Sequence, residues 1–150
     1  MRAYFGWYVV AVSMLVHMLV FGATYGAFGF FVLPASSELG LSRADTNTAL
    51  ILLSLGTALV SPVLGRMLDR FSARRIMMVC AVVFGLSLVG LGTSSSIGFS
   101  AAILALPLAL GLEGAGAMTA SVFLARWFTA RRGRAMALSY IGVSLGSVAV

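Results

Sequence analysis

Lysine is absent from this 150-residue chain, since all ten of its basic residues are arginine. Acidic residues are also scarce: there are four, and charged residues make up 9% of the sequence against 61% hydrophobic residues. Soluble globular domains carry roughly 25% charged residues. The composition therefore excludes an ordinary soluble domain and indicates hydrocarbon as the solvent of most of the chain.

Cysteine and histidine occur once each, as Cys80 and His17. A single cysteine excludes an intrachain disulfide and a cysteine metal cluster. Gly142, Ser144 and Gly146 match the G-x-S-x-G elbow of serine hydrolases, but that elbow needs a strand before it and a histidine base nearby. Here the segment continues an apolar run that is typical of a helix, so we predict no hydrolase.

Cofactor and metal motifs are equally lacking. Gly111, Gly114 and Gly116 lie inside a hydrophobic run with no preceding strand, which is the wrong context for a nucleotide-binding loop. We therefore predict neither a cofactor nor a metal site.

Long apolar runs dominate what is present. About 20 such residues cross a bilayer, and the runs predict transmembrane helices over 5–33, 46–64, 76–92, 97–124 and 135–150. Because backbone polar groups in hydrocarbon must be satisfied internally, we expect an all-α, multi-pass helical bundle. The last run is short for a full crossing, so we expect the chain to be the N-terminal part of a longer protein.

The arginines predict the orientation of this bundle. Nine of the ten fall on one side of the predicted membrane, at Arg2 and within the connections 66–75 and 126–134, and only Arg43 falls on the other. The positive-inside rule then places the N-terminus in the cytoplasm and the chain in the cytoplasmic (inner) membrane. Because the arginines cluster at the ends of apolar runs, they do not indicate nucleic-acid binding.

Two further local patterns concern packing and helix ends. Ser42 and Asp45 resemble a capping box at the start of the second helix. Small residues at a spacing of four predict close helix approach; they are Gly22 with Gly26, Gly111 with Ala115, and Gly142 with Gly146.

One arginine-rich segment resembles a family signature. Gly65, Asp69, Arg70, Arg74 and Arg75 match G-x-x-x-D-[RK]-x-G-x-[RK]-[RK], which the major facilitator superfamily carries between its second and third transmembrane helices. The segment lies between those same predicted helices. The chain departs from the signature at residue 72, where serine replaces glycine.

Other segments resemble the monocarboxylate and oxalate:formate porter branch of that superfamily. They are Pro34, the run 40–46, the opening 5–10, Arg126-Trp127-Phe128 and the run 131–135. The resemblance implies a secondary transporter of twelve helices, of which five are present here. In the family the signature segment latches the two halves in the outward-facing state, which implies this role for Gly65 and the four charged residues of the signature. The alternative is that these arginines only set the topology.

His17 and Glu113 are ionisable residues within predicted spans. Counted at about 1.5 Å per residue, both lie near mid-membrane, where a charged group is expensive and usually faces a cavity or a partner. In the superfamily the first and fourth helices line the central cavity. The resemblance therefore implies that Glu113 exchanges a coupled proton and that His17 tunes it or contacts the substrate. The alternative for His17 is a packed residue that donates to a backbone carbonyl.

The neighbourhood of Glu113 resembles a proton-coupling motif only in part. Glu113, Gly114 and Gly116 align with the Q-G-x-G part of R-x-x-Q-G-x-G, but Leu110 occupies the arginine position. A cation for an anionic substrate would then come from the rest of the protein or from protonated His17. Aromatic residues near the outer end of the first span could line the path or simply pack; they are Tyr25, Phe28, Phe30 and Phe31.

The expected function is transport of a small carboxylate by alternating access, possibly proton-coupled, with the lipid bilayer and the C-terminal half of the same protein as partners. Two alternatives remain open. One is an efflux antiporter for amphipathic compounds from the same superfamily. The other is a non-transporting membrane scaffold, should the protein consist of these 150 residues alone.

Overall fold

The computed structural model describes residues 2–26, 43–94, 96–128 and 131–149, and all regular secondary structure in these ranges is helical. The predicted all-α bundle is confirmed. Its helices are α1 (Arg2–Phe21, which continues into a π-helical turn at Gly22–Gly26), α2 (Arg43–Arg70), α3 (Ala73–Gly92), α4 (Ile97–Ile103, a π-helical turn at Leu104–Leu108, Ala109–Ala115 and Ala117–Trp127) and α5 (Arg132–Ala149).

Four of these helices are long and apolar enough to cross a membrane, judged by length and composition. The candidate spans are Gly6–Tyr25, Asn47–Arg70, Ala73–Gly92 and Gly98–Trp127. Large apolar side chains are exposed along one face of α2 at every fourth residue, from Ile51 through Leu55, Leu59 and Val63. A continuous apolar face of this kind is unfavourable in water and is typical of a helix that contacts lipid or another helix.

The predicted helix ends need correction at the arginine-rich segments. We expected the second helix to stop at residue 64 and the third to start at 76, but α2 continues to Arg70 and α3 begins at Ala73. The charges mark the end of the hydrocarbon and not the end of the helix, because arginine is a good helix former and a cation is favourable in the last turn. Similarly, α4 extends to Trp127 and α5 begins at Arg132.

Two interruptions divide α4. Pro107 has no N–H to offer to the preceding turn, and the backbone accommodates it in the π-helical turn Leu104–Leu108. The second interruption is at Gly116, which ends one α-helical segment and precedes the next. The sequence analysis predicted a continuous helix here and missed both interruptions.

Glycines allow α1 and α5 to touch backbone to backbone. A Cβ added at Gly142 would overlap the carbonyl oxygen of Met14, and one at Gly146 would overlap that of Met18. Gly22 lies against Gly146 itself, with a distance of 3.0 Å from an added Cβ to the Gly146 oxygen. The close approach predicted for these three glycines is confirmed, and we call this contact the α1–α5 seam.

The centre of α4 packs in the same way against α2 and α3. A Cβ at Gly111 would lie 2.7 Å from the Cα of Phe84, and one at Gly114 would overlap the Cys80 thiol. On the other side, Gly56 of α2 faces the carbonyl of Ala105 in the π-helical turn. The main hydrophobic core gathers around this contact and includes Leu64, Leu108 and Leu112.

Several predictions fall outside the described part of the chain. The first helix was predicted to continue from 27 to 33, and this range, with Phe28, Phe30 and Phe31, is not described. The proposed capping box is also outside the described residues, because it needs Ser42 and the side chain of Asp45.

Substitution in the α1–α5 seam tests how far the bundle depends on close approach. We expect Gly142→Ala to lower the free energy of unfolding by about 1–3 kcal/mol, because the new methyl group must push α1 away. The matched control is Gly85→Ala on α3, where an added Cβ meets nothing within 4 Å. Thermal unfolding in detergent measures both, and equal stability of the two variants would refute the seam.

Candidate functional site

His17 lies in the α1–α5 seam with no exposed surface. Its Nδ1 atom is 2.8 Å from the carbonyl oxygen of Ser13, one turn earlier, and 3.1 Å from the hydroxyl oxygen of Ser139 on α5. The histidine thus connects two helices. The alternative interpretation of His17, a packed residue that donates to a backbone carbonyl, agrees with this geometry.

The hydrogen bonds of His17 determine its tautomer. A carbonyl oxygen can only accept, so Nδ1 must carry the hydrogen that it donates to Ser13. In the neutral ring, Nε2 is then a bare acceptor, and it is buried with no hydrogen-bond partner among the described residues. His17 therefore presents one unused acceptor nitrogen inside the bundle.

Stacked rings lead from His17 along one face of α1. The ring of Phe21 lies 6.2 Å from that of His17 at 23°, and the ring of Tyr25 lies 5.8 Å from that of Phe21 at 19°. The ring of Tyr140 on α5 lies 5.1 Å from that of His17 and is tilted by 41°. A spacing of four residues places all three α1 rings on one face, and we call the four rings the aromatic ladder.

Glu113 lies at the Tyr25 end of the aromatic ladder. It stands on α4 between the π-helical turn Leu104–Leu108 and the interruption at Gly116, where its side chain is half-buried. Its carboxylate lies within electrostatic range of the Tyr25 phenol, but no hydrogen bond joins these two groups. His17 and Glu113 are not in direct contact, and the stacked rings of Phe21 and Tyr25 lead from His17 toward the region of Glu113.

A second polar contact joins α5 to α4 beside the ladder. The hydroxyl of Ser121 donates to the carbonyl of Ala117 at 2.7 Å. Because its hydrogen is used there, the Ser121 oxygen accepts from the Tyr140 hydroxyl at 3.2 Å. The sequence analysis missed Ser139, Tyr140 and Ser121. The signal for the first two was weak: a polar pair within an apolar run, one turn before Gly142.

The signature segment forms a tight turn and not an extended loop. Asp69 and Arg70 lie in the last turn of α2, only Phe71 and Ser72 separate it from α3, and the N–H of Phe71 donates to the carbonyl of Met67 at 2.8 Å. Ser72 has a φ angle of −69°. Since this angle is negative, the turn does not require the glycine that the signature has here.

Arg126 connects the second arginine cluster to this turn. Its guanidinium donates to the carbonyl oxygen of Leu68 at 2.8 Å, which satisfies one of the free carbonyls at the C-terminal end of α2. The neighbouring Asp69 is exposed, and no ion pair joins it to an arginine within the described part of the chain. Asp69 is therefore not paired with Arg70, Arg74 or Arg75 in this conformation.

Comparison with known proteins agrees with this architecture. The family model of the Major Facilitator Superfamily matches residues 11–150. An uncharacterized MFS-type transporter of Bacillus subtilis (strain 168), YcxA, is 29% identical over 112 residues, which are 75% of this chain and 28% of that protein. No solved structure matches the chain. The chain spans little more than a quarter of the length of this relative. Because the family model matches most of its residues, the chain belongs to the Major Facilitator Superfamily of membrane transporters.

Proposed function

We propose that the chain is the N-terminal part of a secondary transporter that moves a small, monocarboxylate-like anion across the cytoplasmic membrane by alternating access, coupled to protons. The observation that carries this proposal is Glu113. It is a carboxylate within a candidate span, set between two helix interruptions and within electrostatic range of the Tyr25 phenol. A carboxylate at such a depth is costly unless it reaches a wet cavity, a partner or a proton.

The interruptions of α4 support a binding role for this region. Secondary transporters form their sites near the bilayer midplane from discontinuous helices, whose irregular backbone lines a cavity. The π-helical turn Leu104–Leu108 and the interruption at Gly116 flank Glu113 on both sides. The π-helical turn Gly22–Gly26, which carries Tyr25, is a third irregular segment, and it packs against α5.

His17 has a positioning role in this proposal. Its bond to Ser139 fixes α1 against α5, and the unused Nε2 acceptor can hydrogen-bond a donor when the seam opens. Leu110 occupies the place of the family's buried arginine, so the cation that holds an anionic substrate comes from the downstream half or from protonated His17.

The latch proposal rests on the exposed end of α2. Asp69 has its carboxylate free of ion pairs within the described residues, while Arg126 fixes the adjacent backbone. A free carboxylate beside a fixed helix end can pair with a donor on the downstream half in one conformation and release it in the other. The surface around Asp69, at the end of α2 and the start of α3, takes its shape and its positive charge from Gly65, Arg70, Arg74 and Arg75.

A specific observation favours a second transport function. The aromatic ladder ends at an acid, and the basic side chains described are all at helix ends. Aromatic rings with one carboxylate suit an amphipathic cation better than an anion. The alternative is therefore an efflux antiporter of the same superfamily.

Neutralising Glu113 tests the proton-coupled proposal. In proteoliposomes of the full-length protein, we expect Glu113→Gln to abolish the accumulation of labelled carboxylate that a pH gradient drives. Exchange of labelled for unlabelled substrate should continue, because exchange moves no net proton. Glu113→Asp is the control that keeps the charge. Undiminished pH-driven uptake by Glu113→Gln would contradict proton coupling at this residue, and failure of every carboxylate would favour the efflux function.

The latch makes a separate prediction for Asp69. We expect Asp69→Asn to slow transport about tenfold, since a charge-assisted hydrogen bond contributes about 1.5–3 kcal/mol to the state that it holds. Asp69→Glu should retain most of the rate. Initial transport rates measure both, and a wild-type rate for Asp69→Asn would show that the segment only sets topology.

A further inference from the structure

A small hollow lies on the exposed side of α2, near the end of the helix that carries the arginines. It has a volume of about 260 Å³ and is lined by Val63, Arg66, Met67, Arg70 and Phe71. Their spacing of three and four residues places all five on one helix face. We call this feature the arginine hollow.

The upper part of the arginine hollow is cationic. Arg66 and Arg70 are both exposed, four residues apart, and neither makes an ion pair within the described part of the chain. The charged groups around them are mostly of the same sign: Arg74, Arg75 and Arg126 are exposed at the same end, against the single carboxylate of Asp69. Two adjacent guanidinium groups offer planar donors that match phosphate oxygens.

The rest of the arginine hollow is apolar: Val63 lies further into the span than both arginines, Met67 lies between them along the helix, and Phe71 follows Arg70. Val63 is 49% exposed, Met67 38% and Phe71 55%, although they are hydrophobic. An occupant that satisfies both parts must carry a negative group at one end and a hydrocarbon chain at the other. A free inorganic anion would leave the apolar part uncovered.

We propose that the arginine hollow binds an anionic phospholipid of the cytoplasmic leaflet. The lipid phosphate lies between the guanidinium groups of Arg66 and Arg70, and an acyl chain runs along Val63 and Met67 toward the membrane interior. Basic residues at the edge of a spanning helix attract such headgroups. Orientation by the positive-inside rule needs arginines in this segment but does not require them on one face above an apolar strip.

Native mass spectrometry of the full-length protein with added phosphatidylglycerol or phosphatidylcholine tests this site. We expect the double variant Arg66→Gln, Arg70→Gln to lose phosphatidylglycerol affinity by about tenfold or more. The matched control is Arg131→Gln, Arg134→Gln, which removes the same charge from exposed positions at the start of α5. Its affinity should stay within about twofold of wild type.

Other outcomes would overturn the proposal. An equal loss of phosphatidylglycerol affinity in both double variants would show that binding depends only on the total positive charge of the surface. No loss of affinity in the Arg66→Gln, Arg70→Gln variant would show that another part of the protein covers this face. Equal retention of phosphatidylcholine, or displacement of the lipid by inorganic phosphate at similar concentrations, would exclude a phospholipid site. If the double variant fails to insert, Met67→Glu serves instead, since its carboxylate should neutralise the guanidinium pair and weaken phosphatidylglycerol binding about tenfold; unchanged binding would refute the site.

Discussion

The structure depends on one constraint: inside hydrocarbon, a backbone N–H or carbonyl group has no water to bond and must find a partner in the protein. This requirement forces every candidate span into a helix. It also explains why hydroxyl groups within the spans turn back onto carbonyls of their own helix, as Thr24, Ser61 and Ser87 do. A departure from regular helix is costly under this constraint, so the places where it occurs are informative. Two of the three, Leu104–Leu108 and Gly116, flank Glu113, and the third, Gly22–Gly26, carries Tyr25, whose phenol lies within electrostatic range of Glu113.

Close packing of the helices through glycines fixes the positions of His17 and Glu113. Helices in lipid associate through small residues because burial of apolar surface gains nothing there. Gly142 and Gly146 bring α5 onto the carbonyls of α1, and this contact encloses His17 and places Tyr140 against its ring. Gly111 and Gly114 hold the middle of α4 against α3 in the same way, which fixes the segment that carries Glu113. His17 and Glu113 are therefore held in place by glycines on the same or on adjoining helices.

The sequence predicted the parts of this architecture that follow from composition and short spacing. Apolar runs predicted the helical bundle, and the signature around Asp69 predicted the superfamily. The Gly-x-x-x-Gly spacing predicted close helix approach in the first and fifth spans, but not that these two helices contact each other. The sequence could not predict the helix ends at the arginines, because hydropathy records the edge of the membrane while the helix continues beyond it to Arg70. Nor could it pair His17 with Ser139, since that contact depends on which face of α5 meets α1. The π-helical turn Leu104–Leu108 contains Pro107, so the sequence marked a disturbed helix there but not its form, while the turn Gly22–Gly26 contains no proline to mark it.

The central claim is that Glu113 faces a compartment that opens to water on either side of the membrane in turn. Accessibility of a cysteine at this position measures it directly: Glu113→Cys is placed in the full-length protein after Cys80 and any cysteine of the downstream part have been replaced by alanine. We expect membrane-impermeant thiol reagents to label the new cysteine from the cytoplasmic side in one conformation and from the outer side in another. Leu108→Cys, a buried position on the same helix, should stay unlabelled. Labelling of Glu113→Cys from neither side under any condition would contradict alternating access at this residue.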